Sequence, residues 1–368
     1  MASALDHQYM LHAIRIAERV RGRTAPNPGV GCVIVKDEQV VGYAHSGVGG
    51  RPHAEPQAIK MAGEAAHGAT LYCTLEPCCH TGQTPPCTDA IIQAGIARVV
   101  IGCVDRDERV AAQGIAALRA ARIEVETGIA EEACHTLHGS FFTRITDYRP
   151  EVTLKIATTL DGNIALANGA SQWITGEQAR RFGHMLRARH DAIATGIGTV
   201  MQDNPALNCR LPGMQSHSPT RIVFDSMLRI GEQQALVSDD PAHTWIITRA
   251  AHRDEHAERC ERLEACGIRL LFADERDGKI DLADALRLLA KEGINSLLLE
   301  AGQVLSTAFL RAELIDTLYW FRAPSLIGSD GMPGFGAMRY ESLAQIARFQ
   351  RRDTLALGSD ICEVYQKA

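Results

Sequence analysis

Four residues in the first quarter of the chain have the types and spacing needed to bind a metal ion and to move a proton beside it. One residue separates His53 from Glu55, and Cys78 and Cys87 follow downstream, the first directly after Pro77. One imidazole and two thiolates can hold Zn2+ and leave its fourth position for a water, whose pKa the metal lowers towards neutrality. Glu55, near the start of a helix, can face that water without ligating the metal. The spacing predicts a zinc site with ligands His53, Cys78 and Cys87 and proton shuttle Glu55.

The order His-x-Glu, then Pro-Cys and a later Cys, is typical of zinc deaminases that act on nucleobase-like rings. The common signature has two residues between the cysteines, whereas eight separate Cys78 from Cys87 in this chain. The alternative is a closed structural site that uses Cys79 or His80 as a fourth ligand. A closed site has no use for Glu55, so we favour the deaminase interpretation.

Composition argues against several classes of partner. The chain has 368 residues, enough for two domains, and its net charge of −6 comes without a block of Lys or Arg. A nucleic-acid binder needs a basic face, so we expect no nucleic-acid partner. We find no export signal and no apolar run as long as a membrane span, so we expect no membrane partner, a cytoplasmic location and reduced cysteines. Cys32, Cys73 and Cys103 lie in strand patterns and are expected in the core.

Alternating helices and strands must position these residues. In the first part we predict helices over 4–19, after 53, over 88–94 and over 110–121, and strands over 30–35, 40–44, 69–74, 98–102 and 123–127. A polar stretch at 144–150 is the expected connector between a domain of residues 1–147 and a domain of residues 148–368. In the second part we predict strands over 152–158, 191–195, 220–224, 244–248, 268–272, 296–299 and 317–321, and helices over 178–189, 282–291 and 304–312. Both parts are therefore expected to be α/β.

Two stretches of the second part have patterns that could bind a nucleotide. Gly196-Ile197-Gly198 follows a strand but lacks the third glycine of the dinucleotide motif, which makes the signal weak. The apolar strand that ends at residue 299 runs into Gly302 and then a helix, whose free N–H groups would suit a phosphate. An ordinary strand–turn–helix join explains the same residues, so the pattern alone leaves both interpretations open.

A longer string identifies a family. Residues 74–87 read TLEPCCHTGQTPPC, which resembles the T-L-E-P-C-x-H-x-G-[RK]-T-P-P-C motif of the bifunctional deaminase–reductases of bacterial riboflavin biosynthesis. Further motifs follow in the family's order: Pro26-Asn27-Pro28, His45, 155–162 (KIATTLDG), 171–175 (SQWIT), 203–207 (DNPAL) and 300–302 (EAG). Two residues depart from the family pattern: Gln83 replaces the usual Arg or Lys, and Pro56 a common β-branched residue. Neither is a predicted ligand.

The resemblance implies a fold and two reactions. The fold would be a cytidine-deaminase-like α/β/α sandwich followed by a dihydrofolate-reductase-like α/β domain. The first domain would deaminate 2,5-diamino-6-ribosylamino-4(3H)-pyrimidinone 5′-phosphate with Zn2+. The second would use NADPH to reduce the ribosyl group of 5-amino-6-(5-phosphoribosylamino)uracil to ribityl. The expected partners are therefore a small phosphorylated pyrimidine and further copies of the chain, in a homo-oligomer that is a dimer or a tetramer.

The resemblance also assigns residues to the two sites. The deaminase pocket would be lined by Asn27, His45 and His80. The expected NADPH contacts are Ala157, Trp173, Thr199, Asp203, Ser226, Gly302, Gln303, Val304, Leu305, Ser306, Thr307 and Ala308. The expected substrate contacts of the reductase are Ser171, Arg187, Leu207, Arg210 and Glu300. Of these, Arg187 and Arg210 fit phosphate clamps, because a guanidinium matches a phosphate bidentately. Trp173 would equally suit core packing, and Arg249 is a candidate partner of the NADPH 2′-phosphate.

Two other functions are compatible with the metal motif. The first is another zinc deaminase, one that acts on cytidine, guanine or tRNA adenosine; the wide cysteine gap and the long second domain argue against it. The second is a non-catalytic metal-binding or regulatory protein of the same fold, against which the intact Glu55 argues. A deaminase assay with zinc present separates catalysis from simple metal binding.

Overall fold

Two α/β units, Met1–Tyr148 and Arg149–Ala368, make up the chain in the computed structural model. The structure describes residues 4–107, 111–240 and 243–368. Each unit has apolar cores of its own. One core lies within the first unit and two lie within the second.

The first unit has a five-stranded sheet in the order β2-β1-β3-β4-β5. Its strands are β1 (Gly31–Lys36), β2 (Gln39–His45), β3 (Thr70–Leu75), β4 (Arg98–Cys103) and β5 (Glu124–Thr127). Its helices are α1 (Ala4–Ala17), α2 (Ala54–Ala62), α3 (Cys87–Gln93), α4 (Gln113–Ala120) and α5 (Glu131–Thr146). Strand β1 is antiparallel to β2 and β3, whereas β3, β4 and β5 are parallel.

Two glycines allow helices to approach this sheet closely. A Cβ at Gly31 would lie 2.0 Å from the carbonyl oxygen of Ala13 in α1, and a Cβ at Gly42 would lie 2.4 Å from that of Ala58 in α2. Real side chains do not tolerate such distances, so glycine is required at both positions. Helix α2, which carries Glu55, therefore packs directly on β2.

The second unit has a nine-stranded sheet in the order β11-β10-β9-β8-β14-β6-β15-β18-β17. The strands of this unit are β6 (Glu151–Thr158), β7 (Asn163–Ala165), β8 (Ala192–Gly196), β9 (Thr220–Phe224), β10 (Thr244–Arg249), β11 (Arg269–Ala273), β12 (Glu275–Arg276), β13 (Lys279–Ile280), β14 (Ser296–Leu299), β15 (Thr317–Arg322), β16 (Met332–Pro333), β17 (Phe349–Leu357) and β18 (Asp360–Lys367). Outside the nine-stranded sheet, β7 pairs with β16 and β12 pairs with β13. Its helices are α6 (Glu177–Ala188), α7 (Ile197–Asp203), α8 (Ala235–Ser238), α9 (His252–Glu255), α10 (Ala257–Ala265), α11 (Leu282–Lys291) and α12 (Gln303–Arg311).

Seven strands of this sheet, from β11 to β15, are parallel, and β18 and β17 extend it in antiparallel fashion. Parallel strands end at the same edge of a sheet, and α/β folds bind ligands beyond that edge. The residues that directly follow β14, β8, β9 and β10 are therefore placed side by side at a ligand-binding edge.

The structure confirms the α/β class of both parts and corrects several boundaries. The expected connector at 144–150 is wrong in its first part, because α5 continues to Thr146. The predicted helix over 110–121 has its first residue outside the described ranges, and its described part begins at Gln113. Residues 215–217 form a single 3-10 turn. We did not predict α5, α7, α8, α9 or α10, the short strands β7, β12, β13 and β16, or the hairpin of β17 and β18.

Candidate active sites

The predicted zinc ligands meet at one point of the first unit. His53 directly precedes α2, Cys78 follows β3, and Cys87 is the first residue of α3. His53 Nδ1 lies 3.2 Å from Cys87 Sγ and 3.6 Å from Cys78 Sγ. The three candidate ligand atoms all lie within 4.8 Å of one another. Bonds of about 2.0–2.3 Å to a single zinc ion produce separations in this range, so the donor set fits Zn2+.

The protein environment favours a thiolate in this cluster. The Cys87 thiol donates to Cys78, and this hydrogen bond, against the effect of burial, lowers the pKa of Cys78 to about 4, with further help from His53. The backbone N–H of Cys87 also donates to Cys78 Sγ, at 3.4 Å. A thiolate, not a thiol, is the form that ligates a metal. Cys78 is therefore prepared for metal binding by its neighbours.

Glu55 lies beside the three ligand residues, at the second position of α2. Its side chain is buried, and burial raises the pKa of its carboxyl group. The thiol of Cys73, on β3, donates to Glu55 Oε1 at 3.7 Å. A raised pKa makes the carboxylate a better proton acceptor, which is a property that a proton shuttle needs. Pro56 is tolerated because the first helical turn uses no N–H there.

The other residues expected around this site differ in burial and in their contacts. Cys79 is half-buried and His80 exposed, and neither belongs to the three-residue cluster, which argues against a closed four-ligand site. Asn27 Nδ2 donates to the carbonyl of Gly49 at 2.9 Å. His45 Nδ1 lies 2.9 Å from the carbonyl of its neighbour Ser46.

Gln57 is a positioning residue that the sequence analysis missed. Its Nε2 lies 2.8 Å from the carbonyl oxygen of His45 and 3.0 Å from that of His53. It thereby ties the end of β2 to the start of α2. Its place four residues after a predicted ligand, on the same helical face, was the available signal.

Glu76 is a second missed residue, although it belongs to the TLEPC string. Its buried carboxylate accepts backbone hydrogen bonds from Ile115, Ala112 and Asp105, at 3.1, 3.0 and 3.3 Å respectively. Glu76 therefore caps the start of α4. A Cβ at Gly114 would lie 2.1 Å from the carbonyl oxygen of Pro77, so the same helix end presses on the loop that leads to Cys78.

In the second unit, two helix starts meet beyond the strand edge. Gly302 directly precedes α12, and the position that its Cβ would take lies 3.6 Å from Thr199 Oγ1 at the start of α7. No side chain caps α12, and a Cβ at Gly198 would meet only open space. Uncapped N–H groups at a helix start beside small residues suit a diphosphate. The residues present therefore fit a dinucleotide cofactor.

The remaining expected cofactor residues lie on several elements of the second unit. Ala157 lies near the end of β6, Asp203 ends α7, and Ser226 lies two residues beyond β9. Trp173 is 67% exposed with the Arg180 guanidinium 4.7 Å from its ring centroid, so the core-packing alternative for Trp173 is wrong.

The residues of the stretch Gly302 to Ala308 differ in burial. Ser306 and Thr307 are buried, and their hydroxyls donate to the carbonyls of Ala301 and Gln303 at 3.2 and 2.5 Å. Val304 is exposed, and Leu305 and Ala308 are half-buried.

A charged cluster brings together several of the expected substrate residues. Arg187 pairs with Glu300, and its Nη1 donates to the carbonyl of Asn208 at 3.1 Å. Arg210 is exposed, and its backbone N–H donates to His184 Nδ1 at 3.4 Å. Lys155, which the sequence analysis missed although it opens the KIATTLDG motif, lies 3.8 Å from Glu300 Oε2.

Two expected substrate residues lie outside these contacts. Leu207 is buried with a positive φ of 50°, between α7 and the segment that carries Asn208 and Arg210. Ser171 is half-buried in the loop that leads to α6.

Comparisons with known proteins agree with this architecture. Residues 3–103 match the family described as cytidine and deoxycytidylate deaminase zinc-binding region, and residues 150–362 match the RibD C-terminal domain. The chain is 40% identical to the riboflavin biosynthesis protein RibD of Escherichia coli, over 97% of this chain and 98% of the relative. It is 36% identical to the RibD of Aquifex aeolicus over the full length of both.

Solved structures show the same likeness. The structure of Acinetobacter baumannii RibD is similar with a TM-score of 0.90 at 37% identity, over 99% of both chains. A deaminase/reductase from Thermotoga maritima, titled diaminohydroxyphosphoribosylaminopyrimidine deaminase/5-amino-6-(5-phosphoribosylamino)uracil reductase, is similar with a TM-score of 0.86 at 32% identity, again over 99% of both chains.

Fold and sites together define a bifunctional enzyme in which a zinc-dependent deaminase is joined to a reductase. Full-length relatives well above 30% identity place it more narrowly: the chain belongs to the RibD family of riboflavin biosynthesis. Its cofactors are Zn2+ and NADPH, and it acts on a small phosphorylated substrate. In the part of the chain that the structure describes, no helix is long and apolar enough to cross a membrane.

Proposed function

We propose that residues 1–147 hydrolyse the 2-amino group of 2,5-diamino-6-ribosylamino-4(3H)-pyrimidinone 5′-phosphate, and that residues 148–368 then reduce the ribosyl group of the deaminated product to ribityl. The observation that carries the proposal is the meeting of His53, Cys78 and Cys87 within 4.8 Å of one another. The buried carboxyl group of Glu55 lies beside them.

In the deaminase site, we assign the metal to His53, Cys78 and Cys87. Zinc bound there would lower the pKa of a water so that hydroxide is available near neutral pH. Glu55 would accept a proton from the attacking water on its carboxylate and pass it to the ring nitrogen. It would then accept the remaining proton of the added hydroxyl and deliver it to the amino group, which leaves as ammonia. Its burial supports this role, because desolvation raises the pKa of the carboxyl group towards the working pH. Asn27, His45 and His80 would bind the substrate at the rim.

In the reductase site, NADPH would supply the hydride. The start of α12, at Gly302 and Gln303, would bind the diphosphate beside Thr199. The other cofactor contacts that we propose are Ala157, Trp173, Asp203, Ser226 and the remaining residues of the segment 302–308. Arg187, Arg210 and Glu300 would bind the phosphorylated substrate, with Ser171 and Leu207 lining its site. The pairing of Arg187 with Glu300 supports a site in which the carboxylate orients the substrate and the guanidinium holds the carboxylate.

We further propose that the enzyme is a cytoplasmic homo-oligomer, a dimer or a tetramer. All eleven cysteines are free, which supports a reducing compartment. Sedimentation of the purified chain at several concentrations tests the assembly, and a monomer at all of them would refute it.

The variant Glu55→Gln tests the deaminase assignment. We expect it to keep its zinc and its reductase activity but to release ammonia from the pyrimidinone phosphate at least about 10²–10⁴-fold more slowly, because its side chain can no longer carry a proton. Glu64→Gln, at an exposed position after α2, is the matched control and should change neither activity. Near wild-type deamination by Glu55→Gln would refute the mechanism.

The proposed division of the activities has a test of its own. Residues 148–368 expressed alone should bind NADPH and reduce the deaminated substrate in the presence of a zinc chelator. A folded fragment that required zinc would contradict the assignment.

A further inference from the structure

Arg249, the last residue of β10, is held in place by contacts with three neighbours. Its Nε donates to the carbonyl of Ser226 at 2.8 Å, and its Nη1 donates to Glu275 Oε2 at 3.0 Å. Its Nη2 lies 2.7 Å from His252 Nε2. These bonds use three of the five N–H protons of the guanidinium. The other two N–H protons are available to bind an anion, and the three bonds already fix the orientation of the guanidinium.

A chain of hydrogen bonds explains why His252 can hold this arginine. Thr248 Oγ1 donates its only proton to the carbonyl of Asp225 at 2.8 Å. It must therefore accept from His252 Nδ1, which lies 2.8 Å away, and the lone pair of Nε2 is left to accept from Arg249. Burial, and after it the charge of Arg249, lowers the pKa of His252, in agreement with a neutral ring. His252 is a positioning residue for the guanidinium.

The same hydrogen bond argues against a metal at this place. His252, Glu255 and His256 lie close enough together to hold an ion. A metal on His252 Nε2 would have to displace Arg249 and would then lie next to its positive charge. The place beside the Arg249 guanidinium therefore suits an anion better than a cation.

The sheet order gives this anion site a place relative to the cofactor. Strands β14, β8, β9 and β10 are consecutive and parallel, so Gly302, Thr199, Ser226 and Arg249 follow one another along a single edge. With about 4.8 Å between strands, β10 lies about 10 Å from β8. A dinucleotide whose diphosphate lies at Gly302 and Thr199 can extend its adenosine half across β9 to β10.

We propose that Arg249, oriented by His252 and by the Ser226 carbonyl, binds the 2′-phosphate of NADPH and makes the reductase prefer NADPH to NADH. The inference rests on the proposed reductase function. Guanidinium groups recognise a phosphate bidentately, and the 2′-phosphate is the group by which NADPH differs from NADH. Glu275, which is 45% exposed, neutralises Arg249 in the free protein and is displaced by the phosphate.

Binding of the oxidised dinucleotides, measured by calorimetry on the full chain, tests this assignment without turnover. We expect Arg249→Gln to weaken NADP+ binding roughly ten- to a hundredfold, the usual effect of losing one charge-assisted phosphate contact. NAD+ binding should stay within about twofold. Arg276→Gln is the control, because it removes an equal charge next to Glu275 from a side chain that is 78% exposed. Glu275→Gln should leave NADP+ binding as tight as in wild type, or tighter.

A second comparison uses only the wild-type protein, so its result does not depend on whether the variants fold. Wild-type protein should bind 2′,5′-ADP more tightly than 5′-ADP, with a difference that shrinks as salt is added. Equal binding of the two, or an unchanged NADP+ affinity in Arg249→Gln, would overturn the 2′-phosphate assignment alone. Equal weakening of NADP+ and NAD+ would also overturn it, because Arg249 would then be structural. Wild-type protein that bound neither dinucleotide would overturn the proposed reductase function as well.

Discussion

Arg187 and Glu300 are joined by two parallel hydrogen bonds, Nε to Oε1 at 2.8 Å and Nη2 to Oε2 at 2.9 Å. The residues lie 113 positions apart, one on α6 and the other directly after β14. Burial by itself would raise the pKa of Glu300, but the charges of Arg187 and Lys155 outweigh it and lower this pKa to about 2. Glu300 is therefore an anion at neutral pH.

Breaking this pair should destabilise the second unit strongly. Arg187→Met leaves a nearly buried carboxylate without its main partner, which typically costs about 3–5 kcal/mol of unfolding free energy. The double variant Arg187→Met/Glu300→Gln should lose less than Arg187→Met alone, because no unpaired charge is left. Denaturant unfolding measures both. Lys367→Met, which breaks an exposed pair with Glu313, is the control and should cost less than about 1 kcal/mol. A loss of unfolding free energy in the double variant that equals the sum of the losses in the two single variants would contradict the coupling between Arg187 and Glu300.

The same pair predicts a pH dependence. The folded pKa of Glu300, about 2, is below its ordinary value of 4.5. Its contribution is therefore complete above about pH 5 and is lost as the pH falls towards 2, because the unfolded chain takes up the proton first. Unfolding midpoints of the second unit, followed from pH 7 to pH 2, should decline less steeply below pH 5 in Glu300→Gln than in wild type. Parallel declines would show that other carboxylates dominate.

Zinc content should follow the three-ligand cluster. His53→Ala, Cys78→Ala and Cys87→Ala should each lower the zinc bound per chain, since each removes one ligand of an open site. Cys79→Ala is the matched control, because it deletes a thiol adjacent to Cys78 that does not join the cluster. Metal analysis after dialysis reports the outcome. Zinc loss in Cys79→Ala would indicate a closed four-ligand site.

Local patterns predicted much of the fold and the metal cluster. The metal cluster could be predicted from the sequence because its ligands have characteristic residue types and lie close together in the chain, within residues 53–87. Buried strands such as β1 and β14 each contain a continuous apolar run, over residues 32–35 and 297–299, and their pattern is clear. Strand β17 was missed because it lies at the sheet edge and is mostly exposed, so it lacks both an apolar run and an alternation.

Local sequence patterns could not predict contacts between residues that are distant in sequence. Nothing local shows that Glu300 faces Arg187 or that Arg249 faces Ser226, because the strand order makes these contacts. The capping function of Glu76 is of the same kind. Its position after a buried strand shows that the carboxylate needs partners, but the sequence does not show that residues near 112 provide them.

Removal of the Glu76 carboxylate should weaken the metal site indirectly. Glu76→Ala leaves backbone N–H groups of Ala112 and Ile115 without their acceptor, at a cost of about 1–3 kcal/mol for each unsatisfied group. The start of α4 and the loop before Cys78 should loosen together, so zinc should dissociate faster while the reductase keeps its rate. A chelator competition assay measures the zinc loss, with exposed Glu64→Ala as control. Unchanged zinc release would show that the Glu76 cap of α4 does not support the loop before Cys78.

Arg210 should act on the substrate and not on the cofactor. It is exposed near the charged cluster, where it and Arg187, after burial, lower the pKa of His184. An exposed arginine at the edge of an internally paired cluster can reach a substrate phosphate, so Arg210→Ala should raise KM for the phosphorylated substrate roughly ten- to a hundredfold. NADPH affinity should stay nearly unchanged. Arg181→Ala, an exposed arginine on α6, is the control. A KM change below about twofold would mark Arg210 as a solvated loop charge, and weaker NADPH binding at constant KM would reverse our placement of the two ligands.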